Sequence, residues 1–169
     1  MPELNKKQIE AIQKRVEGNS QQLDNIVQEI VKPYSKDLDN YVSFIKECLA
    51  DGANPPTDME LEDFCMNLST YIYFAGAMCE QLGIKDDISK AIWKEVYNTN
   101  RDSEVKGTVA DKNSIAELAS QQEYLVSSCY TRAYKTMKAK VENAQELLQS
   151  CKKVLSRRMQ ETELTRIGG

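Results

Sequence analysis

The 169-residue sequence contains no histidine, and this absence excludes several kinds of active site. Histidine-activated serine or cysteine nucleophiles, the two-histidine zinc helix and an imidazole proton shuttle all require that side chain. Glycine and proline are also few, at seven and four residues, and no glycine-rich phosphate loop is present. We therefore expect no catalytic residues, no metal and no cofactor, and we interpret the protein as non-enzymatic.

Paired cysteines and long apolar segments are missing too. The five cysteines are odd in number, widely spaced and without a CxxC pair, so we expect buried free thiols. No apolar run approaches the length that spans a membrane, and the opening MPELNKKQIE lacks the apolar core of a signal peptide. These features predict a cytoplasmic protein with no membrane partner.

One long C-terminal helix is the strongest pattern that is present. Apolar residues recur every eleven positions at Ile115, Val126, Met137, Leu148 and Met159. A period of eleven corresponds to about 3.67 residues per turn, close to that of a relaxed α-helix. The spacing predicts a single helix over residues 111–160, followed by a flexible tail over 161–169.

The rest of the chain is predicted to be helical as well. Residues 1–97 form an N-terminal helical region, in which Pro33 and Gly83 are expected to end helices. The segment DGANPPT is the clearest loop, and Thr57 with Glu60 forms a capping box after it. A polar linker over 98–110 precedes the long helix. No segment alternates with period two, so we predict an all-α protein of about five helices.

The first helix carries a heptad pattern, with Ile9, Val16, Leu23 and Ile30 seven residues apart. Two interpretations remain open. The pattern is a short coiled coil, or it is an ordinary amphipathic helix packed on the long C-terminal helix.

A helix of about fifty residues must bury its apolar stripe against other helices. Because the predicted N-terminal helices are short, we expect copies of the chain to complete this burial. The sequence therefore predicts a homo-oligomer. The expected interface residues are Ile115, Val126, Tyr130, Met137, Leu148 and Leu155.

Charge is unevenly distributed along the chain. Residues 1–104 carry 11 basic and 19 acidic side chains, whereas residues 105–169 carry 11 basic and 7 acidic ones. Within 47–63 there are six acids and no base. Such polarity suits head-to-tail association or a polyanion at the basic end. For any single charged residue, an ordinary solvated helix face is the favoured interpretation.

Tyrosines interleave with basic residues on the long helix, at Tyr124, Tyr130 and Tyr134. Single-stranded nucleic acid is bound by this combination, because rings stack on bases while cations hold phosphates. The simpler interpretation is that these rings belong to a core or an interface.

The order of parts after residue 85 resembles the UvsY-like recombination mediators of phages. The matching features are Lys90-Ala91, Lys94 and Tyr97, then a charged spacer, then Ala110-Asp111-Lys112 at the start of the long helix. This resemblance implies a homo-oligomeric helical protein that binds single-stranded DNA and helps load a recombinase where a single-strand-binding protein competes. It also implies that Lys90 and Lys94 contact phosphates.

We extend the predicted nucleic-acid-binding set to basic residues in and beside the spacer, namely Arg101, Lys106 and Lys112. The leading hypothesis is a phage-encoded recombination or replication accessory protein acting on single-stranded DNA in the host cytoplasm. Its partners would be a recombinase or a single-strand-binding protein. The alternative is a helical protein-interaction module without nucleic-acid binding, either a phage structural part or an inhibitor of a host factor. The acidic 47–63 segment favours that alternative, because it would repel DNA.

Overall fold

The structure is a computed structural model that describes residues 6–102 and 107–167. These residues form four α-helices: α1 (Lys6–Ala50), α2 (Asp58–Arg101), α3 (Val109–Ala119) and α4 (Gln121–Ile167). No strand occurs among the described residues. The all-α class is confirmed, but the predicted count of five helices is wrong.

The helix α1 continues through Pro33 instead of ending there. A proline inside a helix lacks the N–H that would bond to the carbonyl four residues earlier, and its ring crowds that carbonyl. Burial on both sides of the proline offsets this cost, since Val31, Ser35 and Leu38 are almost fully buried. Tertiary packing therefore overrides the local signal.

The helix α2 likewise continues through Gly83. This glycine has no positive φ, so it is not the left-handed residue that ends a helix. Instead, a Cβ placed there would lie 3.2 Å from Cε2 of Tyr134. Gly83 therefore permits close approach of the Tyr134 ring from α4.

The predicted single C-terminal helix is divided at Ser120. This residue has φ −103° and ψ 11°, outside the helical region, and it separates α3 from α4. Two backbone bonds still bridge the interruption: Ser120 N–H donates to Ala116 O at 3.0 Å, and Tyr124 N–H donates to Ser120 O at 3.0 Å. The Ser120 hydroxyl also donates to Ala116 O at 2.8 Å. A serine that bonds back to the carbonyl four residues earlier slightly destabilises a helix.

The predicted boundaries of the linker, the long helix and the tail also differ from those in the structure. A capping box starts α3 at Thr108, whose hydroxyl accepts from Asp111 N–H while the Asp111 carboxylate accepts from Thr108 N–H. The linker is therefore shorter than 98–110, because α2 reaches Arg101 and α3 begins at Val109. The predicted tail is helical as far as Ile167, where an Arg157–Glu161 pair at 3.2 Å supports the last turns.

The loop between α1 and α2 agrees with the sequence. Thr57 N–H donates to Glu60 Oε2 at 2.7 Å, and Glu60 N–H donates to Thr57 Oγ1 at 3.3 Å. This is the predicted capping box, and α2 starts directly after Thr57.

The chain divides into two compact units. Unit 1 contains α1 as far as Lys32, α2 from Lys85, and the chain from α3 to Ala133. Unit 2 contains α1 from Pro33, α2 as far as Ile84, and α4 from Tyr134. The divisions fall within continuous helices.

Unit 2 has the larger apolar core. Its fully buried side chains include Ile45, Leu61, Leu68, Leu82 and Met137. Charged pairs fasten α4 to the other parts of this unit. Lys140 Nζ lies 2.7 Å from Asp39 Oδ1, and Arg158 donates to Pro56 O at 2.7 Å and to Asp58 Oδ1 at 3.3 Å.

The expected free thiols are present, and four of the five cysteines are buried: Cys65, Cys79, Cys129 and Cys151. Cys48 is half-buried. Burial raises the pKa of Cys65, Cys79 and Cys151 above that of an ordinary thiol. Because the thiolate is the reactive form, these cysteines behave as small apolar core residues.

Unit 1 has a smaller and more polar core. Its buried apolar side chains are short, namely Val27, Val31, Ala116, Cys129 and Ala133, and four polar residues lie among them, namely Asp86, Ser89, Ser120 and Ser127. Every residue from 8 to 22 of α1 is exposed, including Ile9, Ile12 and Val16 of the heptad pattern. The described residues of one chain therefore leave the first half of that pattern uncovered.

Candidate nucleic-acid interface

Basic and aromatic residues share one face of α2 within unit 1. Lys90, Lys94, Tyr97 and Arg101 are separated by four, three and four residues, so they lie above one another along the helix. Trp93 lies at the edge of this face, one turn before Tyr97. The fold therefore places the predicted DNA contacts Lys90, Lys94 and Arg101 on a common surface.

The concave part of this surface is a groove between α2 and the junction of α3 with α4. Its volume is about 450 Å³, and its lining comprises Trp93, Lys94, Tyr97, Asn98, Glu117, Ser120, Gln121 and Tyr124. Ser120, where the long helix is interrupted, is part of the wall. The interruption of the long helix thus shapes the groove as well as altering the element count.

Three aromatic rings meet in this groove. The ring centroids of Trp93 and Tyr124 lie 5.4 Å apart at 61°, which is an edge-on arrangement. Trp93 and Tyr97 lie 6.4 Å apart. Tyr124 remains 52% exposed, whereas the other two rings are half-buried. An exposed ring that a neighbouring ring holds in place is a suitable platform for stacking a base.

Lys90 is held by a carboxylate on its own helix. Its Nζ donates to Asp86 Oδ2 at 2.6 Å, and the other oxygen of Asp86 accepts from Thr131 Oγ1 at 2.6 Å. The hydrogen bond to Asp86 raises the pKa of Lys90 above its usual value. A raised lysine pKa means that this stabilisation is complete below the ordinary lysine pKa and is lost only at more alkaline pH. Lys90 is therefore charged at neutral pH, but its charge is already balanced.

The other predicted phosphate contacts differ in their surroundings. Lys94 is exposed and lines the aromatic groove. Arg101 pairs with its neighbour Asp102 at 3.2 Å on the exposed surface, which is a weak interaction. Lys112 is half-buried on α3. Lys106 lies outside the described residues. Lys94 is consequently the cation best placed beside the rings.

The electrostatic setting of the groove is balanced rather than strongly basic. Residues 85–102 contain four basic and four acidic side chains, and Glu117 lines the groove opposite Lys94. A polyanion would gain little from long-range attraction at this surface. Stacking on the rings would have to supply much of any affinity.

The predicted oligomer-interface residues fall into two groups. Met137 and Leu148 are buried within unit 2 by the helices of the same chain, so they are not accessible to a second copy. Leu155 is half-buried in unit 2. Ile115 and Val126 are exposed at 39% and 52% in unit 1. Met159, the last residue of the eleven-residue stripe, is 52% exposed, so the stripe is covered in its middle and open at both ends.

A second groove of about 440 Å³ lies on another side of α2 in unit 1. Ile88 and Ile92 of α2 line it together with Val126 and Tyr130 of α4, and Lys85, Ser89, Gln122 and Glu123 complete its lining. Ile88, Ile92 and Val126 each have about half of their surface exposed. Two of the residues predicted for an interface thus lie together in an apolar depression.

Trp93 is the main residue that sequence analysis missed. It lies one turn before Tyr97 and next to Lys94, and this cluster of aromatic and basic residues was a signal available in the sequence. Its contact with Tyr124 was not predictable, because that ring comes from a helix about thirty positions later.

Across 6–102 and 107–167, no helix is both long enough and apolar enough to cross a membrane. In the same ranges, no group of three or more cysteine or carboxylate side chains is arranged to hold a metal ion.

Comparison with known proteins gives no family for this chain. No protein-family model, no curated protein and no solved structure matches it.

Proposed function

We propose that this protein is a non-enzymatic accessory protein that binds single-stranded DNA through the aromatic groove of unit 1. The observation that carries the proposal is the meeting of Trp93, Tyr97 and Tyr124 beside the exposed Lys94. Stacking of one base on an aromatic ring contributes about 1–3 kcal/mol and does not depend strongly on sequence. Lys94 would hold a phosphate next to the stacked base.

The resemblance to UvsY-like recombination mediators gives the proposal its biological setting. In that setting the protein is phage-encoded and acts in the host cytoplasm as a homo-oligomer. It helps a recombinase replace a single-strand-binding protein on DNA. Of the residues carried over from the family, Lys94 lies in the groove and Lys90 lies beside it on α2.

Trp93 provides a direct test, because it is the only tryptophan in the chain. Oligothymidine titrated at low salt should quench Trp93 fluorescence, and the anisotropy of a labelled oligonucleotide should rise over the same concentrations. Duplex DNA should bind more weakly, since its bases cannot stack on the rings. We expect Tyr124→Ala to weaken binding about tenfold, which corresponds to about 1.4 kcal/mol.

Lys46→Ala is a matched control for Lys94→Ala, because Lys46 is also exposed on a helix but lies in unit 2. Lys94→Ala should weaken binding to every sequence, and Lys46→Ala should not change it. Absence of binding at low salt would reject the proposal, and so would binding that is indifferent to both Tyr124 and Lys94.

The second candidate function is a helical protein-interaction module without nucleic-acid binding, either a phage structural part or an inhibitor of a host factor. The apolar groove of Ile88, Ile92, Val126 and Tyr130 favours it, as does the balanced charge of residues 85–102. Part of the acidic segment that first suggested a basic partner is already used within the chain, where Asp58 pairs with Arg158. If a folded protein shows no binding in the DNA titration, this second candidate becomes the favoured function.

A further inference from the structure

The aromatic groove of unit 1 has two chemically different walls. Lys94 and Asn98 line it from α2, whereas Glu117 and Gln121 line it from the junction of α3 with α4. The cation and the carboxylate therefore lie on opposite walls. A phosphate held by Lys94 is kept away from Glu117, and the base attached to that phosphate extends towards the other wall.

Glu117 is available to accept hydrogen bonds from a ligand. It is exposed, and within the described residues its carboxylate makes no hydrogen bond and no ion pair. The side-chain amides of Asn98 and Gln121 are exposed as well, and no described residue bonds to them. An ionised carboxylate has two acceptor oxygens and no donor, so it selects ligands that present donors.

The four DNA bases differ in the donors on their Watson–Crick edge. Guanine presents two neighbouring donors, N1–H and the N2 amino group, which match the two oxygens of a carboxylate in a bidentate pair. Cytosine and adenine present one amino group beside a ring nitrogen that is itself an acceptor. Thymine presents one N3–H between two carbonyl oxygens, and both oxygens repel a carboxylate. Guanine is therefore the base that complements Glu117 best.

The amides of the groove match the remaining group on this edge of guanine. Its O6 is an acceptor next to N1–H. The NH2 group of Asn98 or Gln121 can donate to O6, because both side chains line the same groove as Glu117. The aromatic rings stack on the face of the base and leave its edge free for these contacts.

We infer that Glu117 selects guanine in the single-stranded DNA that this groove binds. The inference rests on the proposed function, because the base must be stacked on the rings and belong to a strand held at Lys94. Stacking then determines how tightly any strand binds, and Glu117 determines which base is preferred. The carboxylate reduces the long-range attraction of a polyanion but adds a specific contact at short range.

Strands that differ in one type of base test the inference. Oligothymidine is the reference, and the test strand carries guanine at every third position, without the runs of guanine that form quadruplexes. We expect the guanine strand to bind about tenfold more tightly, or about 1.4 kcal/mol, in anisotropy titrations of labelled strands. This value is at the lower end for a bidentate pair, because the groove is open to water. Strands with cytosine or adenine at the same positions should bind less tightly than the guanine strand.

Inosine identifies the atoms that make the contact. This base keeps N1–H and O6 of guanine but lacks the N2 amino group, so one of the two hydrogen bonds to the carboxylate is lost. The inosine strand should bind only about threefold more tightly than oligothymidine. Equal binding of the inosine and guanine strands would overturn the inference, because the N2 amino group would then make no contact.

Glu117→Ala tests the residue itself. Removal of the carboxylate should lower the ratio of guanine-strand to oligothymidine affinity from about ten to about one. Alanine favours helix and Glu117 is exposed, so circular dichroism should show unchanged helix content. Glu95→Ala is the matched control, because Glu95 is exposed on α2 next to Lys94 but does not line the groove. It removes the same charge and should leave the ratio unchanged.

The affinity ratio separates this inference from the proposed function. Equal affinities of the wild-type protein for the guanine strand and oligothymidine would overturn the inference while leaving DNA binding in place. A ratio unchanged by Glu117→Ala, or a cytosine or adenine strand that binds as tightly as the guanine strand, would do the same. Free deoxyguanosine monophosphate that displaced the guanine strand at equal concentration would also overturn it, because the occupant would then be a mononucleotide. Binding of no strand at low salt would reject the proposed function and the inference together.

Discussion

Asp86 is a buried carboxylate that joins two helices of unit 1. Its two oxygens accept from Lys90 on α2 and Thr131 on α4, both at 2.6 Å. Only 4% of the residue is exposed, and it lies in a core whose apolar side chains are short. A buried acid is tolerated when its oxygens are bonded, so these two donors are needed for the packing of unit 1.

Thr131→Val should therefore destabilise unit 1. The substitution keeps the shape of the side chain but removes the donor, leaving one Asp86 oxygen buried without that bond. The expected loss is about 1–3 kcal/mol in the free energy of unfolding. Urea unfolding followed by Trp93 fluorescence measures it, because Trp93 lies in the same unit.

Thr162→Val is the control for this experiment. Thr162 is exposed near the end of α4, and its hydroxyl donates to Arg158 O at 2.9 Å, within its own helix. Its loss should change stability by less than about 0.5 kcal/mol. Equal effects of the two substitutions would show that the bond between Thr131 and Asp86 does not stabilise the unit.

At the scale of elements, Pro33 is the residue of α1 with the lowest helix propensity. The proline sits inside a 45-residue helix and its side chain is exposed. Pro33→Ala would restore one backbone hydrogen bond and remove the contact of the ring with the preceding turn. Removing the proline stabilises the helix by up to about 3 kcal/mol. It also increases the conformational entropy of the unfolded chain, which reduces this stabilisation by up to about 1 kcal/mol.

We expect Pro33→Ala to increase stability by about 1–2 kcal/mol, or about 3–6 °C in Tm for a chain of this length. Thermal unfolding followed by circular dichroism at 222 nm measures the shift. Lys32→Ala, at the preceding exposed position, should give a much smaller change. A lower Tm for Pro33→Ala would mean that a bend at the proline is required by the packing of α1.

Pro33 and Gly83 also show which features of the fold the sequence could predict. The loop from Asp51 to Thr57 was predictable, because its capping box uses residues that are adjacent in sequence. The helix ends predicted at Pro33 and Gly83 were wrong. In both places the deciding factor is packing by distant residues: the burial of Val31 and Leu38 for Pro33, and the Tyr134 ring for Gly83.

The candidate site too depends on contacts between distant residues that the sequence did not predict. The spacing of Lys90 and Lys94 along one helix was visible in the sequence, because it depends only on the helical period. Arg101 was predicted to lie in the linker, and it joins these lysines because α2 continues to Arg101. The groove was not visible. It depends on Tyr124 and on the interruption at Ser120, which divides a segment whose apolar spacing indicated a single helix.

At the scale of the whole molecule, the fold reduces the charge asymmetry that the sequence suggests. The acidic N-terminal and basic C-terminal parts of the chain contribute to the same unit, where Lys140 pairs with Asp39 and Arg158 with Asp58. Basic residues of α4 are therefore less available to DNA than their number implies. Residues 85–102, which carry most of the proposed site, have balanced charge.

This charge distribution predicts a shallow salt dependence for DNA binding. Lys94, Arg101 and Lys112 are the described members of the predicted nucleic-acid-binding set that lack a strong intramolecular pair, whereas Lys90 is bonded to Asp86. Each phosphate contact on a single strand contributes about −0.7 to the slope of log affinity against log salt, so three contacts give a slope of about −2. Anisotropy titrations between about 50 and 200 mM salt measure this slope.

Two substitutions separate the contribution of charge from that of stacking. Lys94→Ala should flatten the slope by about 0.7, because it removes one phosphate contact. Tyr124→Ala should lower the affinity at every salt concentration and leave the slope unchanged, because stacking releases no counterions. A wild-type slope steeper than about −4 would require more phosphate contacts than the groove offers. In that case DNA would be bound by basic residues elsewhere, and the aromatic groove would not be the principal site.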